Sequence, residues 1–274
     1  MLRRLFICIV LLLSMCEVTL AKPTLHISEP TVSQERPPTS VPVNSDRDKK
    51  SARDKKISSL GQLYHKYPET IKTKGARTKQ IALTFDDAPD PRFTGKVLDV
   101  LAKYHVKATF FVIGERAKRY PGIVARMNRE GHIIGNHSYN HPQFSKLSFD
   151  SFQDQILKTE HIIKHITGYS PRFIRPPYGD ITESQLKWAK KNGYKVINWN
   201  VDSLDWKGLD KEQVKKNILS SVGPGSIILQ HAGGGVGSNL NGSIEALPEI
   251  IETLKNKGYT FVTVAEMLHI PMNK

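Results

Sequence analysis

Five short segments carry residue types suited to hydrolytic chemistry, and each follows an apolar run. Asp86-Asp87 follows Ile81-Ala82-Leu83-Thr84-Phe85, His137 and His141 follow Ile133-Ile134, and Arg175 follows Phe173-Ile174. Asp202 and Asp205 follow residues 196–201, and His231 follows Ile227-Ile228-Leu229. On a helical turn, the four-residue spacing of His137 and His141 would put two imidazoles on one side, a geometry suited to one metal ion. Two solvated histidines show the same spacing by chance. No Glu follows the first of them, so the His-Glu-x-x-His pattern of zinc peptidases is absent. Of the two adjacent carboxylates, one can complete a two-His, one-carboxylate metal site while the other stays off the metal as a proton acceptor. Side by side they repel, and a nearby cation would resolve the conflict. The same pair also fits a helix N-terminal charge or a turn before Pro89. Arg175-Pro176-Pro177-Tyr178-Gly179 is a stiff loop whose arginine can pair with an aspartate or sit in a surface ion pair. Gly233-Gly234-Gly235 lacks the Lys-Ser/Thr ending of a phosphate loop and reads as a flexible turn.

The elements that must position these groups alternate. Strand patterns at 81–85, 108–112, 133–134, 196–197, 227–229 and 260–262 are separated by helical spacing around 97–101 and 123–127 and over 148–167, 182–192, 210–221 and 244–257. Strands alternating with helices imply one α/β domain with a parallel sheet, either open and doubly wound or closed into a barrel. In such folds the carboxyl ends of the strands share a face, so the five polar segments can converge.

The N-terminal region differs in kind. Arg3 and Arg4, the apolar run Leu5–Cys16 and the small residues Thr19 and Ala21 read as a secretory signal over residues 1–21. An uncleaved membrane anchor is the alternative. Cys8 and Cys16 both lie in this segment, so a mature chain has no disulfide or thiolate metal site and must hold any metal with His, Asp or Glu. Residues 22–77 read as a basic Pro/Ser-rich linker, largely disordered, with the folded domain expected over 78–274. The formal charge of +14 is uneven: residues 1–79 carry 15 Lys/Arg against 7 Asp/Glu. Such an arm attracts anionic cell-wall polymers or lipid head groups. No nucleic-acid motif accompanies the charge, so no nucleic-acid partner is expected. The expected state is a monomer, secreted or associated with the cell wall.

Taken in order, the polar segments resemble the polysaccharide deacetylase family, the NodB-homology carbohydrate esterases, over about residues 78–270. Thr84-Phe85-Asp86-Asp87-Ala88-Pro89 is similar to the family's Thr-Phe-Asp-Asp-Gly-Pro, and His137-Ser138-Tyr139-Asn140-His141-Pro142 to its His-Ser/Thr-x-x-His-Pro. Arg175–Gly179 matches the third motif, Asp202-Ser203-Leu204-Asp205-Trp206 the Asp-x-x-Asp-Trp motif, and Leu229-Gln230-His231 the Leu-x-His motif. The resemblance implies a distorted (β/α) barrel. It implies that Asp87, His137 and His141 hold one divalent metal ion, zinc first, with cobalt or nickel as substitutes. It also implies Asp86 as general base, His231 as general acid, Arg175 orienting the base and Asp205 rather than Asp202 pairing with His231. Tyr178 would offer a backbone N–H to the oxyanion, and Trp206 and Leu229 would wall the acetyl-methyl pocket. The implied reaction is hydrolytic N-deacetylation of N-acetylglucosamine in peptidoglycan, with chitin-type or other acetylated polysaccharides as alternative substrates. A wall-binding protein with a dead site is a further alternative. One position departs from the pattern: Ala88 stands where Gly is usual, and a positive φ there would strain it.

Overall fold

The computed structural model describes residues 60–274. The expected signal and most of the expected linker lie outside the described residues. Among those described, no helix is long and apolar enough to cross a membrane. The elements run α1 (Leu60–Lys66), β1 (Ile71–Lys72), β2 (Gln80–Ala88), α2 (Thr94–Lys103), β3 (Thr109–Val112), α3 (Gly114–Arg119), α4 (Pro121–Arg129) and β4 (Ile133–Asn136). They continue α5 (Phe149–Thr167), β5 (Phe173–Ile174), α6 (Glu183–Lys191), β6 (Lys195–Ile197), β7 (Val201–Asp202), α7 (Lys211–Leu219), β8 (Ile227–His231), α8 (Asn241–Asn256), β9 (Thr260–Phe261) and α9 (Val264–Leu268).

Every strand pair is parallel, and the path is β1-β6-β5-β4-β3-β2-β8-β7, with β9 beside the start of β2. From β2 to β6 each strand neighbours the next in sequence, and β7 and β8 return to the other edge of β2. That is the winding of a barrel rather than of a doubly wound sheet, whose strand order reverses at its middle. The path ends at β1 and β7 with no closing pair among the described residues, hence a distorted barrel.

Side chains alternate across each strand. Leu83, Phe85, Phe110, Val112 and Ile228 face outward into the main core with α2, α4, α7 and α8. The opposite parity, Ala82, Phe111, Phe173, Ile197 and Ile227, packs with Val264 and Met267 of α9. Continuing that second parity toward the carboxyl ends gives Thr84 and Asp86, Gly135 and His137, Arg175, and Leu229 and His231. Each inner column is thus apolar low in the barrel and turns polar at its mouth. Gly135 is required in this crowded interior, because a Cβ there would lie 2.6 Å from the Phe111 ring.

The expected linker ends earlier than residue 77. Residues 60–72 form α1 and β1, with β1 pairing to β6. Leu63 and Ile71 are buried against Phe144, Phe152, Ile156 and Ile174, with Tyr64 and Tyr67 beside them. The Tyr67 hydroxyl and Lys66 Nζ both donate to Glu183 Oε1, at 2.6 and 2.7 Å. The many lysines around this segment hid four apolar or aromatic side chains that a distant part of the sheet buries. Helices α3 and α9 were also invisible to periodicity, being only six and five residues long. Elsewhere capping matches the sequence: Ser148 accepts from Ser151 N at the start of α5, and Gly168 ends that helix at φ 84°.

Candidate active site

Strand pairing begins the assembly. Asp86 lies in register with His231 across β2 and β8, so a carboxylate and an imidazole 145 positions apart emerge side by side. Arg175 is fully buried and reaches Asp86. Its Nη1 donates to Asp86 Oδ1 at 2.8 Å and to Thr84 Oγ1 at 2.8 Å, and its Nε donates to the Ile197 carbonyl at 2.9 Å. The guanidinium lies over the Phe111 ring, 4.2 Å from its centroid. Burial raises the Asp86 pKa above the usual carboxylate range despite the opposing charge of Arg175.

His231 is oriented from the other side. Its Nδ1 lies 2.7 Å from Asp205 Oδ1, and its backbone N–H donates to Asp205 Oδ2 at 2.9 Å. The Ser243 hydroxyl donates to the same Oδ2 at 2.7 Å. Burial disfavours the charged ring, but the carboxylates of Asp205, Asp86 and Asp87 outweigh it and lift the His231 pKa to about 9. Burial likewise acts on Asp205 to raise its pKa, and His231 overcomes it, leaving Asp205 below the usual value. Asp202 instead accepts from the Leu204 backbone N–H at 2.8 Å.

A second cluster opens beside this pair. One ligand atom each from Asp87, His137 and His141 lie within 4.8 Å of one another. Asp87 Oδ1 is 3.5 Å from His137 Nε2 and 3.4 Å from His141 Nε2. Donors about 2.0–2.1 Å from a tetrahedral zinc ion sit about 3.3 Å from each other, so the spacing fits one cation. The protonation fits as well. His137 Nδ1 faces the Arg175 carbonyl at 2.7 Å, and a carbonyl only accepts, so that nitrogen holds the hydrogen and Nε2 presents its lone pair. Burial, then the neighbouring His141, push the His137 pKa down to about 3, which keeps the ring neutral. Asp87 Oδ1 is buried without a hydrogen-bond partner, an arrangement that costs free energy unless a cation completes it.

The two histidines do not ride on a helical turn, as their spacing led us to expect. They lie in the irregular segment after β4, where Ser138 and His141 take φ of 67° and 63°. Side-chain hydrogen bonds replace the helical ladder there. Asn136 Oδ1 accepts from Ser138 N, Ser138 Oγ from His141 N, and Gln155 Oε1 from both Tyr139 N and Asn140 N. The concern over Ala88 is also resolved: the positive φ falls on Asp87, at 63°, and Ala88 is buried with its φ outside that range. Asp tolerates the left-handed region better than most residues, so the adjacent alanine is accommodated.

The cleft over these groups holds about 400 Å³ and is lined by all five titratable side chains of the two clusters that face it, Asp86, Asp87, His137, His141 and His231. Leu229 is buried in its wall, while Trp206 (54% exposed) and Tyr178 (70% exposed) stand at its rim. The Tyr178 ring meets His141 edge-on at 4.9 Å, and Tyr178 has φ 60°. Trp199 and Leu240 line the same cleft, and Ser243 supports Asp205. None of these three stands in a motif, so the sequence offered no signal for them. Gly233, expected in a flexible turn, is instead required by a close approach of two backbones: a Cβ there would lie 2.2 Å from the Asp87 carbonyl oxygen.

A parallel barrel with a three-donor cation cluster beside a paired carboxylate and imidazole defines a hydrolase of the metal-assisted class. The comparisons with known proteins agree. Residues 73–197 match the family model described as polysaccharide deacetylase. A peptidoglycan-N-acetylglucosamine deacetylase of Bacillus cereus is 50% identical over 188 residues, which are 69% of this chain and 68% of that protein. The crystal structure of the Bc1960 peptidoglycan N-acetylglucosamine deacetylase, in complex with 4-naphthalen-1-yl-N-oxidanyl-benzamide, superposes with a TM-score of 0.75 at 45% identity, covering 77% of this chain and all of that one. The chain belongs to the polysaccharide deacetylase family. A pseudoenzyme of the family from Bacillus anthracis is also similar, with a TM-score of 0.67 at 30% identity over 72% of this chain and 68% of that one. Membership therefore fixes the fold, and the side chains present decide whether chemistry follows.

Proposed function

We propose that this protein hydrolyses the acetamide of N-acetylglucosamine residues in peptidoglycan, releasing acetate and leaving a free amine. The observation that carries the reading is the pairing of two proton-transfer groups beside the cation cluster: Asp86 on Arg175, and His231 on Asp205. A binding protein has no use for that pairing. The substrate class comes from the activity of the Bacillus cereus relative and of the Bc1960 enzyme.

An acetamide resists hydrolysis because its carbonyl is resonance-stabilised and its amine leaves badly. Asp87, His137 and His141 would hold one divalent ion, zinc being our assignment from the two-imidazole, one-carboxylate set. When bound, such an ion supplies Lewis acidity toward the carbonyl and the attacking water. Asp86, fixed by Arg175, takes the water's proton. The Tyr178 backbone N–H faces the developing oxyanion, a contribution of about 3 kcal/mol for donors of this kind. His231, charged well above neutral pH because of Asp205, delivers its proton to the departing nitrogen. Trp206 and Leu229 enclose the acetyl methyl. The export signal and basic arm read in the sequence support a reaction at the cell wall, with the arm drawn to its anionic polymers.

Acetate release from purified peptidoglycan and from N-acetylglucosamine oligomers, with and without chelator, tests the reading. Chelator-sensitive acetate release with peptidoglycan preferred is the expected result. Absence of acetate from both would end it, and faster release from the oligomers would move the substrate to chitin-type polymers.

A further inference from the structure

The Gly233–Gly235 turn has a second face. On that side lies a cleft of about 490 Å³ that shares Gly234 and Gly235 with the catalytic cleft. Arg92, Arg116, Arg119, Tyr120 and Val236 line it. Asp90 is the one carboxylate in its lining, and it is buried and already engaged: Arg92 Nε donates to its Oδ1 at 3.0 Å and Arg92 Nη2 to its Oδ2 at 2.7 Å. The guanidiniums are held in place: Arg92 Nη2 also donates to the Gly234 and Gly235 carbonyls at 2.9 and 3.1 Å, and Arg116 Nη1 lies 3.7 Å from Asp90 Oδ2. Arg116 Nη1 donates to the Asp87 carbonyl at 2.7 Å and its Nη2 to the Gly234 carbonyl at 2.8 Å. Of the five N–H groups of a guanidinium, the rest on Arg116 and those on Arg92 Nη1 have no hydrogen-bond partner among the described residues. Arg119 is 66% exposed on its side chain and, among the described residues, pairs only with Glu115, at 3.7 Å, beyond hydrogen-bonding range.

We propose that this cleft is a subsite for a carboxylate carried by the sugar adjoining the one being deacetylated. The inference rests on the deacetylase reading above and deepens it. A polymer strand that fills the catalytic cleft must leave over its rim, and there Gly234 and Gly235 add no side chains of their own, Ser238 being the neighbour packed on Gly234. In a peptidoglycan strand, the sugar next to each N-acetylglucosamine carries an ether-linked lactyl group and its acidic peptide. In a chitin-type strand it carries no acid. Forked guanidinium donors that are pinned before binding match a carboxylate at low ordering cost. The fully exposed Val236 gives the substituent's apolar part a surface beside them. The second cleft therefore distinguishes the two polymers where the catalytic cleft, reading only the acetamide, does not.

The test compares two tetrasaccharides on the full, metal-loaded protein. One alternates N-acetylglucosamine with N-acetylmuramic acid bearing free lactyl carboxylates, and the other contains N-acetylglucosamine alone. The unaltered protein is expected to favour the acidic strand in kcat/KM, through KM, with a preference that shrinks as salt rises. Arg119→Glu should reduce the acidic-to-neutral ratio by up to roughly tenfold, and Arg119→Ala by roughly threefold, since exposed ion pairs are modest. Arg119 is too exposed for either change to unfold the protein, and an unchanged melting temperature verifies this. An unaltered ratio in Arg119→Glu overturns the subsite, as does an unmutated protein that treats the two strands alike. A preference found only on strands bearing phosphodiester polymers overturns the carboxylate assignment. Failure of the deacetylase reading shows differently, as no acetate from either strand, and removes the subsite with it.

Discussion

At the acid–base pair, each oxygen of Asp205 has a donor, Asp86 Oδ1 has Arg175, and Arg175 is itself held by Thr84 and two carbonyls. At the cation cluster a few ångströms away, Asp87 Oδ1 is buried with no donor, and the imidazole nitrogens turned toward it approach no closer than 3.4 Å. Apart from Asp86 Oδ2, whose nearest partner is His137 Nε2 at 3.6 Å, the first set is satisfied within the protein. The second is complete only with a cation from solution, because Asp87 Oδ1 and the lone pair of His137 Nε2 face each other with no hydrogen between them. The local backbone differs in the same way. Asp86 and His231 sit in register on paired strands, whereas Asp87 takes left-handed φ at the irregular end of β2 and His141 does so in a segment held by side-chain hydrogen bonds. The acid and base thus sit on regular strand pairing, and the cation cluster on the irregular end of β2 and the segment after β4.

The sharpest way to break this contrast is to remove a ligand. Asp87→Ala or His137→Ala should abolish stoichiometric metal content and lower turnover by more than about a thousandfold, because several kcal/mol of charge stabilisation goes with the ion. Tight metal binding by Asp87→Ala, measured by elemental analysis, would show that the cluster is not the site. Asp86→Asn should do the reverse: it retains metal while acetate release falls by roughly 10²–10⁴. Full activity in that variant would remove Asp86 from the base role.

Gly233→Ala sharpens the comparison by pressing on one side only. Its new Cβ, 2.2 Å from the Asp87 carbonyl, must displace that ligand's backbone. Metal affinity in a competition titration should drop by roughly 10–100-fold, the range for disturbed ligand support. Asp205→Asn presses on the other side. The acid works while His231 is protonated, so activity is present below its pKa of about 9 and lost as pH rises through it. Without the Asp205 charge, the basic limb of the kcat profile should move to lower pH with metal content unchanged. A limb that stays in place would mean that another group sets it. The smallest effect is on stability: metal at about 100 times its Kd should add about 2.7 kcal/mol. Thermal unfolding with and without chelator reads this out, and Asp87→Ala should show no difference.

How much of this was legible in the sequence depended on distance along the chain. The alternation Ala82-Thr84-Asp86 and Ile227-Leu229-His231 is a local, period-two pattern, so it announced strands with chemistry at their ends. The order of the motifs identified the family, and with it the barrel. A charge-rich stretch concealed the opposite: residues 60–72 read as linker because Leu63, Tyr64, Tyr67 and Ile71 have their partners on α5 and β5, far along the chain. His-x-x-x-His read as a helical turn for a related reason. Spacing alone does not reveal that Asn136, Ser138 and Gln155 supply the hydrogen bonds a helix would have made.

By itself, then, the chain's local chemistry determined which residues could act, the strands that carry them and the inward face they share. Only tertiary packing decided that Ser243 would steady Asp205, that Arg116 would brace Asp87, and that a second arginine-lined cleft would open across the Gly234-Gly235 rim. The reason is physical. Periodicity and propensity act between near neighbours, whereas these contacts join residues 29 and 38 positions apart, whose meeting depends on how the whole barrel closes around its core.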